Sequence, residues 1–456
     1  MQYQFIHYIT RCSSFFALCI SLVGCQTIPE IMGQSDVIER VIVQDTALSS
    51  QTDQDLQAIE IKLTAQKPLT ETEAVLYALQ KNASFKALLI DLKIAKADLI
   101  NAGLLPNPEL LYSFSATNKP YRYAIDFPLE ALWLRPIKLR NMKNEADATA
   151  SRLTQAGLNL IKDVRVAYAQ AVLAEERLKV TAAAYQLRKQ IHLLSTKRLA
   201  SGDINGKDVL LAKNDAAIAK RDWQLAQYDI TAKTESLLFL IGVNSNQRHI
   251  VLSPNLIPAC EVEEIETLLT KSLAQRQDVL AAQFSVKAAE EKVKLSKVSW
   301  FRFFGIADAT SGQVNGHTLS PTIRATLPVF NQNQGVISRS EAELEKAILN
   351  LEALKQQAVL EIRTAHIQYQ QSCHDWQVMQ DNLLPAVQKM IALTEDAYHE
   401  GDISYLQTLE ANRQFVDTQM REVTLKAELF SKWAELTRNL GSQNLHSQNI
   451  GKSVGE

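Results

Sequence analysis

Two kinds of hydrophobic pattern follow each other along the chain, and each predicts a different element. Apolar residues at 121, 123, 125 and 127 alternate with Arg122, Ala124 and Asp126, which is the period of a β-strand with one polar and one apolar face. From about residue 139 to 199, and again from about 335 to 398, apolar residues recur at helical spacing. At about 1.5 Å per residue, the first of these stretches predicts a helix about 90 Å long. The chain is therefore predicted to be mainly α with a small β part.

The chain contains a tandem duplication. Residues 199–212 are repeated at 398–411, where Gly202 matches Gly401 and Asp203 matches Asp402 at one offset (401 − 202 = 199). Upstream of the tips, Leu79 matches Leu273 at an offset of 194 (273 − 79), and Pro128 matches Pro328 at an offset of 200 (328 − 128). Gly-Asp-Ile is typical of a helix end followed by a new helix start, so each copy predicts the tip of a helical hairpin. We expect two repeats of about two hundred residues each, with return helices at 207–240 and 404–440.

Each repeat is also expected to contribute one β-hairpin. Strands near 110–114 and 121–127 belong to the first repeat, and strands at 300–310 and 319–327, joined by a loop at 311–316, belong to the second. A heptad pattern in the second long helix predicts a coiled-coil seam, and Pro385 is expected to kink that helix. The two lines of the seam are Leu344, Leu351, Ala358 and Ala365, and Ile348, Ile362, Tyr369 and Trp376.

The predicted organisation has six parts. A signal peptide at 1–24 precedes an N-terminal arm at 25–67, which is expected to be extended or partly ordered. The first repeat, at 68–241, opens with a helix that has a capping box of Thr70 and Glu73 and runs to about Gly103. A linker at 242–262, expected to contain a short piece of structure, leads to the second repeat at 263–440 and to a flexible tail at 441–456.

The cysteines have separate expected roles. Leu22-Val23-Gly24-Cys25 ends a short apolar run and resembles the lipobox of bacterial lipoproteins, so Cys25 is the predicted lipidation site. The alternative is an ordinary cysteine in an ordinary signal peptide. Gln26 after the cysteine resembles lipoproteins that are sent on to the outer membrane. Cys260 and Cys373 are too far apart for a disulfide framework and are expected to be buried thiols.

Composition and motifs argue against several function classes. Lys and Arg total 48 against 50 Asp and Glu, so the chain has no overall basic field for nucleic acid. No nucleophile elbow, phosphate loop or paired-His zinc motif occurs, so no catalytic residue and no cofactor are expected. His366, Cys373 and His374 share a helix, but the histidines are eight residues apart (374 − 366), too far to bind one ion. No metal site is predicted.

The number of predicted strands implies an assembly. Four strands cannot close a barrel, and an open sheet in lipid would leave backbone groups unpaired at both edges. Three copies would supply twelve strands, an even number in the range of outer-membrane barrels. We therefore expect a homotrimer in the cell outer membrane, lipid-anchored and surrounded by membrane lipids, with a large periplasmic portion.

Three motifs carry a family resemblance. They are the approach to the first strand at 102–110, the exit from the fourth at 327–335, and the second tip at 398–411. In this order and duplication the chain resembles the TolC-type outer-membrane efflux proteins over nearly all of its mature length. The resemblance implies a trimeric α-barrel continuous with a twelve-stranded β-barrel. It also implies the exit duct of a tripartite pump, with a periplasmic adaptor and an inner-membrane RND-type transporter as partners.

The resemblance also implies roles for single residues. The tip residues that would dock the adaptor are Gly202, Asp203, Gly401 and Asp402. Glu410 would line the periplasmic aperture, where three copies would form an anionic ring that favours cations. A second acidic position of some relatives is Gln407 here, which puts a double ring in doubt. The alternative for Glu410 is a solvated charge on a helix face.

Substrate and partner are less constrained. The lipobox and the Gly-Leu-Leu-Pro-Asn-Pro stretch lean towards the branch that exports heavy-metal cations, with drugs as the alternative. Two further hypotheses stay open. One is a structural or adaptor-like periplasmic coiled-coil lipoprotein without a pore, and the other is the same duct serving type I protein secretion.

Overall fold

A computed structural model shows two compact units, each drawn from three segments of the chain. One unit contains Met1–Ser35, Leu89–Arg152 and Asp278–Leu354, and the other contains Asp36–Leu88, Leu153–Gln277 and Lys355–Glu456. The strands all belong to the first unit. The structure describes residues 29–44, 53–114, 122–243, 250–254, 257–260, 263–312, 316–400, 402–403 and 405–441.

Helices make up most of the described residues. The helices before the first strand are α1 (Gln34–Gln44), α2 (Asp53–Thr64), α3 (Glu71–Lys81) and α4 (Ala83–Gly103). Those between the two hairpins are α5 (Ala131–Ala200), α6 (Gly206–Ile241), α7 (Ile265–Gln275) and α8 (Gln277–Val298), and those at the end are α9 (Gln334–Val378), α10 (Leu384–Glu400) and α11 (Tyr405–Leu440). The long first helix and both return helices are confirmed, although α5 begins eight residues earlier than predicted (139 − 131).

The strands form one antiparallel sheet in chain order. They are β1 (Glu109–Ser113), β2 (Arg122–Pro128), β3 (Phe303–Gly312) and β4 (Gly316–Ala325). Each predicted hairpin pairs within itself, and β2 joins β3 to complete the sheet. The predicted loop at 311–316 was too long, because Ser311 and Gly312 still pair with β4. The backbone hydrogen bonds of the hairpin extend the strands closer to the turn than the side-chain pattern indicated.

The sheet has one apolar and one polar face, as the alternation predicted. Leu110 on the apolar face is 71% exposed. On the opposite face the Arg324 guanidinium donates to an Asp126 carboxylate oxygen at 2.7 Å, across the width of β3. A second pair on this face, Arg122 and Asp308, is joined at 2.8 Å. Two pairs of opposite charge on the polar face therefore neutralise each other.

The helix predicted from 70 to about 103 is in fact two helices. The chain leaves the helix at Asn82, whose side chain accepts from the Phe85 N–H and donates to the Leu240 carbonyl, both at 2.8 Å. These bonds stabilise a non-helical backbone with φ −59° and ψ 118°. The second repeat breaks at Arg276 with φ −59° and ψ 125°, at an offset of 194 (276 − 82). The two repeats therefore share a break that the apolar stripes did not indicate.

One local helix signal is confirmed, and the other, Pro385, follows a local change of helix type. The Thr70 side chain accepts from the Glu73 N–H at 3.3 Å, and the Glu73 carboxylate accepts from the Thr70 N–H at 3.0 Å, which confirms the capping box. The second long helix is interrupted directly before Pro385 by a π-helical segment, Met379–Leu383. Because proline lacks an N–H and its ring crowds the preceding turn, a wider turn accommodates it.

The arm is more ordered than predicted. We expected an extended or partly ordered segment, but it contains α1 and α2. Val37 and Val41 on α1, and Ile59 and Leu63 on α2, are spaced by four residues and are at most 6% exposed. Each pair forms a short apolar stripe, and its burial stabilises the helix.

The predicted seam of the second long helix is buried over part of its length. Ala358, Ile362 and Tyr369 are at most 1% exposed, and the last two lie in a core cluster that includes Trp433. Ile348, farther upstream on the same line, is 48% exposed. A single chain therefore covers the seam from Ala358 onward.

Two tyrosines at equivalent positions hold the linker. The Tyr168 hydroxyl lies 2.6 Å from the Leu69 carbonyl and 2.8 Å from the Ser253 carbonyl, and the Tyr369 hydroxyl donates to the Ala259 carbonyl at 2.7 Å. The two side chains are 0% and 1% exposed and are separated by 201 residues (369 − 168). Burial raises the pKa of both phenols, so both stay protonated donors. Within the linker, Leu252 forms a parallel β-bridge with Leu69, which is the short piece of structure expected there.

Cys260 and Cys373 form a disulfide, so the prediction of two buried thiols was wrong. Their sulfur atoms are 2.35 Å apart and their Cα atoms 5.6 Å apart, a Cα separation typical of this bond. Their sequence separation of 113 explains why sequence spacing gave no signal. The bond fixes the linker to α9 one turn after Tyr369, beside the carbonyl that this tyrosine binds.

Loss of this disulfide is expected to destabilise the protein. Closing a loop of that length contributes about 4 kcal/mol in the chain-entropy description. The combined Cys260→Ser and Cys373→Ser variant should therefore unfold at a lower temperature than the wild type. Circular dichroism during heating measures the midpoint of unfolding. Reductant should lower the wild-type midpoint to the same value and leave the double variant unchanged. An unchanged midpoint after thiol titration has verified reduction would contradict a stabilising role.

Candidate functional site

The first predicted tip is a tight helical corner. Helix α5 ends at Ala200, and Gly202 adopts φ +81°, a left-handed conformation that favours glycine. The Asp203 N–H donates to the Arg198 carbonyl at 3.0 Å, which closes the end of α5. Asn205 then caps α6, because its side chain accepts from the Asp208 N–H at 3.1 Å. The predicted helix stop is confirmed, with Asn205 as the cap.

The second tip has the same backbone closure. The Asp402 N–H donates to the carbonyl of Ala397, five residues earlier, just as Asp203 donates to the residue five before it. Asp203 and Asp402 are both exposed. Gly401 lies outside the described residues. The structure therefore presents one exposed aspartate at equivalent positions of the two tips.

The predicted aperture residues lie on the first turns of α11. Gln407 and Glu410 are exposed, and Thr408 and Leu409 between them are 7% and 3% exposed. Residues three apart share a helix face, so Gln407 and Glu410 project from the same side. The Glu410 side chain is 60% exposed, and its surroundings within one chain leave its carboxylate in solvent.

A buried ion pair that the sequence did not predict lies next to Glu410. Arg413 donates a short hydrogen bond to Asp215 on α6, and its other terminal nitrogen is 3.9 Å from the Glu410 carboxylate. Asp215 is 3% exposed. Asp215 lies at helical spacing between Ala212 and Ala219, which are also buried. A carboxylate on this buried stripe of α6 was the sequence signal that could have predicted an ion pair. Arg413 thus links the helix of Glu410 to α6.

A second charged network stabilises the same unit near the break at Arg276. The Arg276 guanidinium is 3% exposed and donates to Glu361 at 2.8 Å, and Arg438 approaches the same carboxylate at 3.4 Å. Burial alone would raise the pKa of Glu361, but hydrogen bonds from Arg276 and Gln357 outweigh it and lower that pKa. The network ties the α7–α8 junction to α9 and α11 and has no arrangement suited to catalysis.

The histidines and cysteine of α9 do not form a ligand set. His366 is buried, His374 is exposed, and Cys373 is part of the disulfide. In the part of the chain that the structure describes, no group of three or more His, Cys, Asp or Glu residues could hold a metal ion. Within the same residues, no helix is long and apolar enough to span a bilayer.

Removing the Arg413 side chain is expected to lower the free energy of unfolding by more than the partial exposure of this arginine suggests. Arg413→Ala would leave Asp215 buried and unpaired, which we expect to destabilise the fold by roughly 2 kcal/mol after allowing for solvent around the arginine. Adding Asp215→Asn should recover part of the loss, because the buried charge is then gone. Arg421→Ala on the same helix, an exposed arginine, is the matched control. Equal thermal midpoints for Arg413→Ala and Arg421→Ala would contradict this prediction.

The C-terminal part of the chain matches a known protein family. Residues 268–442 match the family described as Outer membrane efflux protein. The matched range includes the candidate aperture residues Gln407 and Glu410 and the second tip. It also covers β3, β4 and the second long helix.

Curated relatives extend the similarity over the chain. The cobalt-zinc-cadmium resistance protein CzcC of Cupriavidus metallidurans is 20% identical over 381 residues, which cover 82% of this chain and 90% of that protein. The cation efflux system protein CusC of Escherichia coli O6:H1 is 25% identical over 304 residues, which cover 59% of this chain and 62% of CusC. The alignment with CusC therefore spans less than two thirds of that relative.

Comparison with solved structures supports the fold. The crystal structure of the outer membrane protein VceC from Vibrio cholerae superposes with a TM-score of 0.70 at 18% identity, over 82% of this chain and 96% of VceC. At this identity the likeness is one of fold. The matching family and CusC are described by efflux and not by a catalysed reaction, which agrees with the expectation that the chain is not an enzyme. Residues 268–442 are thus similar in sequence to the outer membrane efflux proteins, and the chain shares the fold of VceC over most of its length.

Proposed function

We propose that three copies of this chain form the outer-membrane exit duct of a tripartite efflux system. The observation that carries the proposal is the four-stranded sheet with two open edges and one apolar, exposed face. Such a sheet can enter lipid only when its edges are paired, and joining β1 of one copy to β4 of the next would pair them. Three copies would then close a barrel of twelve strands.

The long helices would form the periplasmic part of this duct. Helix α5 has 70 residues and is about 105 Å long, which is several times the thickness of a bilayer. The exposed aspartates at the two tips, with Gly202 and Gly401 beside them, would dock a periplasmic adaptor protein. That adaptor would connect the duct to an inner-membrane RND-type pump.

Glu410 would line the aperture of the closed end. Its exposed carboxylate lies on the first turns of α11, close to the second tip, and three copies would form an anionic ring. Gln407, on the same face, adds no charge to the ring. Arg413 pairs with Asp215 and also lies 3.9 Å from the Glu410 carboxylate, so one arginine is shared between two carboxylates and this group keeps a net negative charge.

Metal cations are the substrate class that the observations favour. CzcC and CusC carry names that state resistance to cobalt, zinc and cadmium and cation efflux. An anionic ring at the narrowest point would also favour cations over anions. Lipidation of Cys25, which lies outside the described residues, would anchor the assembly to the outer membrane.

The duct should conduct ions as a trimer. Protein extracted from membranes with detergent should run as a heat-sensitive oligomer of three chains in crosslinking and mass measurements. It should also produce stepwise conductance in planar bilayers, because the proposed barrel encloses water. A monomer without conductance would instead favour the coiled-coil scaffold.

Reversal of the charge at Glu410 should change ion selectivity. With Glu410→Lys, the ratio of cation to anion permeability should fall, because three lysines would replace three carboxylates at the aperture. Glu428→Lys is the matched control, since Glu428 is exposed on the same helix and about 27 Å away along its axis. Reversal potentials in a salt gradient measure the ratio. Equal ratios for the two variants would place Glu410 away from the ion path.

A further inference from the structure

A partly enclosed cavity lies where the strands give way to helices, in the unit that contains the sheet. Its volume is about 390 Å³, which is in the range of small-molecule sites. Among its lining residues, Pro128 ends β2, Arg302 directly precedes β3, and Val336 lies in the first turn of α9. The ends of several elements therefore meet around the cavity at one level of this unit.

Much of the cavity wall is apolar. Leu134 of α5, Leu295 of α8 and Val336 of α9 line it, together with Pro106 and Pro128. Leu134 is 7% exposed, so packing inside the chain holds this part of the wall in place. An apolar group that displaces water from such a wall is stabilised by about 25 cal/mol per Å² of apolar surface that it buries. The wall therefore suits the apolar part of a ligand.

The charged side chains of the cavity are mostly cationic. Lys138, Lys292 and Arg302 line it, against one carboxylate, that of Glu130. The Lys292 ammonium is 2.6 Å from the Glu343 carboxylate, so its charge is matched. Within the parts of the chain that the structure describes, the side chains of Lys138 and Arg302 have no carboxylate or hydrogen-bond partner. Two positive charges of the cavity are therefore available to a ligand.

The other polar groups of the cavity are already engaged. The Glu130 carboxylate accepts from the Phe303 N–H at 3.1 Å. The hydroxyls of Ser296 and Ser340 donate to carbonyls of their own helices at 2.8 and 2.9 Å. The donors that remain for a ligand are thus an ammonium and a guanidinium group, and both bind carboxylates and phosphates.

We propose that this cavity binds an amphiphile with an anionic head group. The head group, a carboxylate or a phosphate, accepts charge-assisted hydrogen bonds from Lys138 and Arg302, and the chain of the amphiphile lies against the apolar wall. A small inorganic anion would leave the wall uncovered, and an uncharged amphiphile would leave both cations unmatched. The site is formed by one chain, so the proposal does not rest on the trimeric duct.

A photoactivatable carboxylate tests binding from solution. The probe is decanoic acid with a diazirine on its chain, added to the purified full-length protein in a non-ionic detergent. Irradiation should label peptic peptides that contain residues 128–138 or 292–302, which mass spectrometry identifies. Unlabelled decanoate should compete for this labelling. Decanol at the same concentration should not, because it lacks the charge that the two cations bind.

A second arm supplies the same chemistry from a membrane. The protein is reconstituted in nanodiscs whose phosphatidylglycerol or phosphatidylcholine carries the diazirine on an acyl chain. A lipid ligand should make phosphatidylglycerol label the cavity peptides about tenfold more than phosphatidylcholine, because only phosphatidylglycerol has a net negative head group. Labelling by decanoate without this preference would identify the ligand as a soluble amphiphile.

Paired substitutions separate the cavity from surface charge in general. The combined Lys138→Gln and Arg302→Gln variant should lose about tenfold of the labelling by decanoate, because both charged donors are gone. Lys143→Gln with Lys346→Gln removes the same charge from exposed residues outside the cavity lining and should leave the labelling unchanged. The competition between decanoate and decanol uses the wild type, so it decides the question even if a variant is unstable.

Three results would overturn the site. Cavity peptides that stay unlabelled in both arms would show that no amphiphile binds there. Equal competition by decanol and decanoate, with no preference for phosphatidylglycerol, would show that the cavity takes up apolar chains without regard to charge. Unchanged labelling of a folded Lys138→Gln and Arg302→Gln variant would show that the two cations do not bind the head group. Conductance in planar bilayers tests the duct separately, so failure of the site is distinguishable from failure of the proposed function.

Discussion

The pairing of backbone hydrogen bonds at the edges of the four-stranded sheet is the constraint on which the proposed duct depends. Among the described residues, β1 and β4 each have one edge without a strand partner, while their outward apolar face is exposed. In water, the unpaired edge strands of such a sheet would bind the edge strands of other sheets. In lipid, each unpaired backbone N–H or C=O group would destabilise the folded chain by several kcal/mol. Copies of the chain can remove both problems at once by pairing edge to edge. In the proposed duct, the assembly would therefore follow from the strand count and would not be an addition to a finished monomer.

The helical part solves a different problem, which is to keep two similar hairpins in register over a great length. Both repeats break their first helix at equivalent residues, Asn82 and Arg276, and both long helices place a buried tyrosine against the linker. A buried phenol with a raised pKa keeps its proton at neutral pH, so each tyrosine can donate to a backbone carbonyl of the linker. The linker is thus held from both repeats, and the disulfide at Cys373 adds a covalent bond on one side.

Sequence predicted what depends on local periodicity and missed what depends on distant partners. The alternation around Arg122 and the glycine at the first tip are local signals, and both strands and tips follow them. The break at Asn82 depends on a bond to Leu240, 158 residues away, so no window around residue 82 contains its cause. The disulfide spans 113 residues and was hidden for the same reason.

The candidate site divides in the same way. The tips were predicted because a glycine and an N-cap are sufficient to define them. The pairing of Asp215 with Arg413 was missed because the two residues are 198 apart, although the buried alanines beside Asp215 marked the position as unusual. Conversely, Glu410 was found only through family resemblance, since an exposed carboxylate on a helix has no pattern of its own.

Because the chain is duplicated, comparing the two repeats shows which features they share and which occur in one repeat only. The aspartate at each tip is shared, as are the helix breaks and the tyrosines, so these features suit a task that both repeats perform. At the offset of 199, Glu410 corresponds to Leu211 in the first repeat, and Arg413 to Asn214. The interruption before Pro385 also has no counterpart, because α5 runs unbroken. Glu410, Arg413 and the irregular turn therefore belong to the second hairpin alone, while the first hairpin supplies Asp215 as the partner of Arg413. This asymmetry agrees with the proposal that the second hairpin lines the aperture.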